Sequence, residues 1–139
     1  MRKKYITNSR EETIKLGESI AKTFKPGDAV ALIGELGSGK TTLVKGIAKG
    51  LGVNGYRYVN SPSFVIIKEY KGKIPLYHFD VFRLDSLSGT DALSFEEYFY
   101  GKGICVVEWA DKIRKLLPKK CLEIKIDTLK ENQRKIVLS

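Results

Sequence analysis

Eight consecutive residues, Gly34-Glu35-Leu36-Gly37-Ser38-Gly39-Lys40-Thr41, constrain this chain more than anything else in it. They satisfy the pattern GxxxxGK[ST] in full. Immediately before them, Ala29-Val30-Ala31-Leu32-Ile33 is an apolar run too brief for a helix and reads as a buried strand. Immediately after them, Leu43, Val44, Ile47, Ala48 and Leu51 recur at helical spacing, with Gly50 and Gly52 to end the pattern. Strand, glycine turn and helix are the parts of a phosphate cradle. Glycines let the backbone curl without Cβ clashes, so that N–H groups from about Leu36 to Thr41 converge on one concavity, and the helix adds the positive end of its dipole. Lys40 then supplies a charge for the β- and γ-phosphates, and the Thr41 hydroxyl is placed to bind Mg²⁺. The motif predicts nucleotide binding.

Size and charge limit what else the chain carries. Its 139 residues suit one domain, 1–139, with one core, and leave little room for a second. Lys and Arg number 25 against 16 Asp and Glu, a net charge of +9 that favours polyanionic partners such as nucleotide or nucleic acid. The two cysteines, Cys105 and Cys121, have neither CxxC nor zinc-site spacing, so no disulfide framework or structural metal is indicated and a reducing cytoplasm fits. Cys105 lies in an apolar run and reads as a small buried hydrophobe. The charged start Met1-Arg2-Lys3-Lys4 lacks the apolar region of a secretory signal, and the absence of any run of 18 apolar residues argues against a membrane span.

The remaining elements follow from local patterns. Ser9 with Glu12 forms a capping box, and Ile14, Gly17, Ile20, Ala21 and Phe24 predict a helix from Arg10 to Phe24, ended by Pro26-Gly27. Residues 64–70 and 74–79 read as a hairpin about Lys71-Gly72-Lys73. A loop from Leu84 leads into a short helix before Tyr100. Ile104 to Val107 is a second all-apolar strand, and Asp111 to Leu117 a helix stopped by Pro118. Alternation from Leu122 to Asp127, and again from Lys135 to Leu138, predicts an antiparallel C-terminal strand pair at one edge of a mixed sheet.

Hydrolysis needs a carboxylate at the end of a neighbouring strand, to hold Mg²⁺ or to orient water. Two acids end apolar runs: Asp80 in His78-Phe79-Asp80 and Glu108 in Val106-Val107-Glu108. Glu108 fits the usual pattern of four hydrophobics and an acid more closely. The chain has no NKxD element to read guanine, which disfavours a GTPase, and it is far too short for a transporter ATPase. A small-molecule kinase and a nucleotide-dependent binding module without hydrolysis both stay open.

Several segments occur together in a familiar order: Gly34 to Thr42, Ser61-Pro62-Ser63-Phe64 with Tyr70 downstream, His78-Phe79-Asp80-Val81-Phe82-Arg83-Leu84, Glu96-Glu97-Tyr98-Phe99 and Val107-Glu108-Trp109. In order and spacing they resemble the TsaE (YjeE) family of small bacterial ATPases of tRNA threonylcarbamoyladenosine (t6A) biosynthesis. The resemblance spans essentially the whole chain. It implies a three-layer α/β, P-loop NTPase-like fold with a mixed, largely parallel central sheet. It further implies ATP hydrolysis with Mg²⁺, in the cytoplasm and away from membranes, in support of TsaB and TsaD proteins that place threonylcarbamoyl on N6 of adenosine 37 in tRNAs reading ANN codons.

Carried over position by position, the resemblance gives Leu36, Gly37, Ser38, Gly39, Lys40, Thr41, Thr42 and Arg134 to the nucleotide, and Thr41 with Glu108 to Mg²⁺. Lys40, Asp80 and Glu108 become the catalytic set, with Asp80 working near the γ-phosphate or the attacking water. Ser61 and Ser63 fall in a switch-like loop, and Trp109, the one tryptophan, stands beside the metal acid. This chain departs from the family pattern in carrying Gln133 for Gly, Ser63 for Thr and Phe82 for Tyr.

Overall fold

Ala29 to Ile33 carries apolar side chains on both faces, and a strand of that kind has to be covered on both sides. The computed structural model describes residues 2–35, 37–60, 67–81 and 95–139, and in it this strand lies at the middle of the sheet. In chain order the elements are β1 (Lys3–Thr7), α1 (Arg10–Ala21), β2 (Ala29–Ile33), α2 (Lys40–Gly50), β3 (Ile67–Tyr70), β4 (Leu76–Asp80), β5 (Ile104–Glu108), β6 (Leu122–Lys130) and β7 (Gln133–Leu138). Short 3₁₀ segments cover Tyr56–Tyr58 and Ala110–Leu116, and residues 95–99 are helical. Among the described residues seven strands form one sheet of order β1-β7-β6-β2-β5-β4-β3. The central pairs β6/β2, β2/β5 and β5/β4 are parallel, and the outer pairs β1/β7, β7/β6 and β4/β3 are antiparallel.

Strand periodicity sorts the core into two layers. Val30, Leu32, Leu76, Ile104, Val106, Ile124, Ile126 and Ile136 point to one face and pack on Ile20 and Ala21 of α1 and Leu43, Val44 and Ile47 of α2. Ala29, Ala31, Phe79, Cys105 and Val107 point to the other, onto Phe95, Phe99, Ala110 and Ile113. The result is the expected three-layer α/β architecture. Cys105 is buried there as a small hydrophobe; desolvation pushes its thiol up to about 12, and its Sγ donates to the Tyr98 carbonyl at 3.2 Å.

On the first face the two helices approach until backbone meets backbone. A Cβ on Gly46 of α2 would stand 2.2 Å from the Ile14 carbonyl oxygen, and one on Gly17 of α1 would stand 2.6 Å from the Leu43 carbonyl oxygen. These glycines therefore permit a contact that no other residue allows.

The structure corrects four expectations. The C-terminal pair β6 and β7 is antiparallel but is not at the sheet edge: β6 joins β2 in parallel, and β1, a strand not foreseen, adds outside β7. β1 escapes notice because Lys3 to Ile6 are all exposed, so it has no buried face to pattern. The first helix stops at Ala21 rather than Phe24, where Thr23 folds back and its N–H and hydroxyl both bond the Ile20 carbonyl. The segment expected as a helix from Asp111 to Leu117 is 3₁₀ over Ala110–Leu116 and kinks at Ile113 (φ −129°, ψ 34°). The hairpin holds as β3 and β4, paired from Ile67↔Phe79 to Tyr70↔Leu76. Residues 64–66 and 84–94 of the predicted segments lie outside the described residues.

Candidate nucleotide site

The glycine loop leaves β2 at Gly34 and enters α2 through Gly37 (φ 79°) and Gly39 (φ 102°), both in the left-handed region. α2 begins with nothing of its own at its N-terminus. Gly39 offers no side-chain cap, and the first turn holds no acidic residue. A helix start carries N–H groups without intrahelical partners and the positive pole of the dipole, so it is open to an external anion.

Lys40 is buried, with 5% of its surface exposed. Its ammonium donates to the Gly34 carbonyl at 2.5 Å and the Glu35 carbonyl at 2.8 Å, and lies 4.2 Å from the centre of the Trp109 ring. Burial holds its pKa below the ordinary lysine value, against the opposing pull of Glu108, then Asp80, Glu35 and Asp111. The lysine is thus folded onto the loop it serves. Trp109 follows β5 at φ 61° and ψ 35°, the one non-glycine residue with positive φ among the described residues. That conformation costs on the order of 1–3 kcal/mol. It turns the indole over the ammonium.

Register brings the carboxylates to the same place. β5 lies beside β2 with Glu108 opposite Leu32, and β4 lies beside β5 with Asp80 opposite Glu108. Both acids therefore end parallel strands on the edge where the glycine loop turns. Lys40, Thr41, Asp80, Glu108 and Trp109 line one cleft of about 200 Å³ together with Gly37 and Gly39.

Thr42 and Arg134 face a separate small recess with Ser9, Thr13 and Asn132. Arg134 grips the loop from behind: Nε donates to the Ser38 carbonyl at 2.7 Å, and one terminal nitrogen donates to the carbonyls of Lys130 and Glu131, each at 3.0 Å. The Ser38 hydroxyl is buried without a hydrogen-bond partner among the described residues. Leu36, Ser61 and Ser63 lie outside the described residues.

The donor set fits Mg²⁺ better than a transition metal. No cluster of three or more His, Cys, Asp or Glu able to hold a metal occurs among the described residues. One carboxylate and one hydroxyl facing an open cleft is what a magnesium ion completed by water and phosphate oxygens requires.

Sequence reasoning left one residue of this neighbourhood without a role. His78 is fully buried, and its Nε2 bonds Oε2 of Glu108. The signal was a histidine two residues before Asp80 on the same strand face, which becomes informative only once β4 and β5 are known to be neighbours.

A central parallel strand, a glycine loop and an uncapped helix, faced by acids from the next two strands, define a protein of the three-layer α/β class. The family model for threonylcarbamoyl adenosine biosynthesis protein TsaE matches residues 7–136. The chain belongs to the TsaE family. It is 46% identical over 137 residues to the tRNA threonylcarbamoyladenosine biosynthesis protein TsaE of Bacillus subtilis, a match covering 98% of this chain and 84% of that one. It is 34% identical to the TsaE protein of Treponema pallidum, over 96% of this chain and 98% of that one. A crystal structure of Bacillus subtilis YdiB superposes with a TM-score of 0.80 at 40% identity, covering 99% of this chain and 84% of that chain. Among the described residues, no helix is long and apolar enough to cross a membrane.

Proposed function

We propose that this protein is a Mg²⁺-dependent ATPase that acts with a TsaB–TsaD assembly in forming threonylcarbamoyl on N6 of adenosine 37 in tRNAs reading ANN codons. One observation carries the reading. In a chain of the TsaE family, Lys40 and Thr41 at the open start of α2 share one cleft with Asp80 and Glu108.

The reaction adds water to the γ-phosphorus and breaks its bond to the oxygen bridging to the β-phosphate, releasing ADP and inorganic phosphate. The work asked of the protein is positioning and charge stabilisation, with no covalent intermediate. Lys40 exchanges the Gly34 and Glu35 carbonyls for β- and γ-phosphate oxygens, and the loop N–H groups hold the β-phosphate. Thr41 and Glu108 would hold Mg²⁺, which would supply charge neutralisation on the transferred group. Asp80, paired opposite Glu108, receives or orients the water at the γ-phosphate. No arginine lines the cleft among the described residues. Phosphate-loop enzymes without a supplied stabiliser turn over on the order of 10⁻⁴ to 10⁻² per second, so the isolated protein is slow and the TsaB–TsaD assembly accelerates it.

The test is multiple-turnover tRNA modification reconstituted with TsaB and TsaD, with this chain, without it, and with Lys40→Ala. Sustained modification only with the unaltered chain is expected. Modification that runs equally through many turnovers without it contradicts the reading, as does an isolated protein that hydrolyses ATP at tens per second.

A further inference from the structure

The single histidine of the chain stands where its strand calls for an aliphatic residue. Along β4, Leu76, His78 and Asp80 share the face that packs toward α2, and β5 places Ile104, Val106 and Glu108 beside them. His78 is 0% exposed, and its Nδ1 has no hydrogen-bond partner among the described residues. Packing alone does not favour a ring with a stranded polar atom. The compensation lies at the other nitrogen, where Nε2 meets Oε2 of Glu108, a carboxylate 3% exposed. An ionised carboxylate only accepts, so the hydrogen of the ring sits on Nε2. With Nδ1 unpartnered, the bond to Glu108 is the polar contact that holds the ring among the described residues.

We propose that His78 is the positioning residue of Glu108. By occupying Oε2, the Nε2–H fixes the carboxylate rotamer and leaves Oε1 as the atom presented to the cleft that Lys40 and Thr41 share. This assignment rests on the reading of Glu108 as a Mg²⁺ ligand. It adds that the ligand is oriented from behind by a buried ring, an arrangement whose loss commonly costs ten- to a hundredfold in metal affinity or activity.

Because the chain has one imidazole, nitrogen NMR of histidine-labelled protein reports this ring alone. The expected spectrum shows a slowly exchanging proton on Nε2, displaced when Mg²⁺ and ADP are added and changed in Glu108→Gln. Two variants separate orientation from packing. His78→Gln sets its amide nitrogen near the position of Nε2, whereas His78→Asn reaches only that of Nδ1. His78→Asn is expected to raise the Mg²⁺ concentration for half-maximal nucleotide binding about tenfold, with nucleotide affinity in the absence of Mg²⁺ within about twofold, and His78→Gln to restore most of the loss.

A ring whose Nε2 carries no hydrogen in the unaltered protein overturns the proposal, as do Gln and Asn variants that behave alike. The ring spectrum requires neither variant to fold and no hydrolysis to occur. If the unaltered protein binds Mg²⁺ and nucleotide but releases no phosphate beside TsaB–TsaD, the ATPase reading fails while the spectrum still decides the role of His78.

Discussion

α1 and α2 lie against each other, are 12 and 11 residues long, and begin in opposite ways. α1 closes its own start. The Ser9 hydroxyl accepts from the Glu12 N–H at 3.1 Å, the Glu12 carboxylate accepts from the Asn8 N–H at 3.1 Å, and Glu11 and Glu12 place negative charge against the dipole. α2 starts on a left-handed glycine with no side-chain cap, no acid in its first turn, and a lysine at its first position. α1 thus supplies negative charge at its own start, whereas α2 leaves its first N–H groups and the positive end of its dipole without one.

Breaking the contact between the two helices has the largest expected effect. A methyl on Gly46 cannot be accommodated against the Ile14 carbonyl without moving a backbone. Gly46→Ala is therefore expected to lower stability by about 2–3 kcal/mol, read by denaturant unfolding, although alanine is the better helix former. Unchanged stability would show that α1 and α2 slide freely.

Lys40→Ala removes charge-assisted contacts worth about 1.5–3 kcal/mol. ATP affinity, followed through the fluorescence of Trp109, is expected to fall by about ten- to a hundredfold. A related effect comes from pH alone. Because burial holds Lys40 below its ordinary value of 10.5, the ammonium is present below that lowered pKa and is lost as pH rises through it. Phosphate affinity should accordingly begin to fall at lower pH than a surface lysine would dictate. Affinity that holds until pH 10.5 contradicts the buried environment assigned to Lys40.

The contrast between the helix starts is sharpened by exchanging them. Ser9→Ala opens α1 and is expected to cost about 1 kcal/mol of stability with ATP affinity unchanged. Thr42→Glu places an acid where α1 carries Glu12, three residues after the cap. It is expected to stabilise the nucleotide-free protein by about 0.3–1 kcal/mol and to weaken ATP binding measurably in titration calorimetry. If Ser9→Ala impairs binding as much as Thr42→Glu does, the two helix starts do not differ in the way described.

What was legible in the sequence was whatever is local. The run from Ala29 through Thr41 to Leu51 states strand, turn and helix within about two dozen residues, and the capping box at Ser9 and Glu12 is a three-residue signal. β1 was not legible, since its partners Arg134 to Leu138 lie at the other end of the chain and its own side chains are exposed. The candidate carboxylates were visible one by one as strand-end acids. Their meeting, and the role of His78 behind Glu108, depend on the parallel register of β4 with β5 and of β5 with β2. Arg134, which the resemblance assigns to the nucleotide, reaches the loop itself, where its Nε donates to the Ser38 carbonyl at 2.7 Å.

In the proposed function the open start of α2 binds the phosphates, while Glu108, held behind by His78, serves the chemistry. Nucleotide binding and phosphate release measured side by side for the unaltered protein and Glu108→Ala, each with TsaB–TsaD present, test it most directly. ATP affinity within a few-fold and phosphate release reduced by about a hundredfold or more are expected for Glu108→Ala. Equal loss of both would make Glu108 a structural residue and contradict the account.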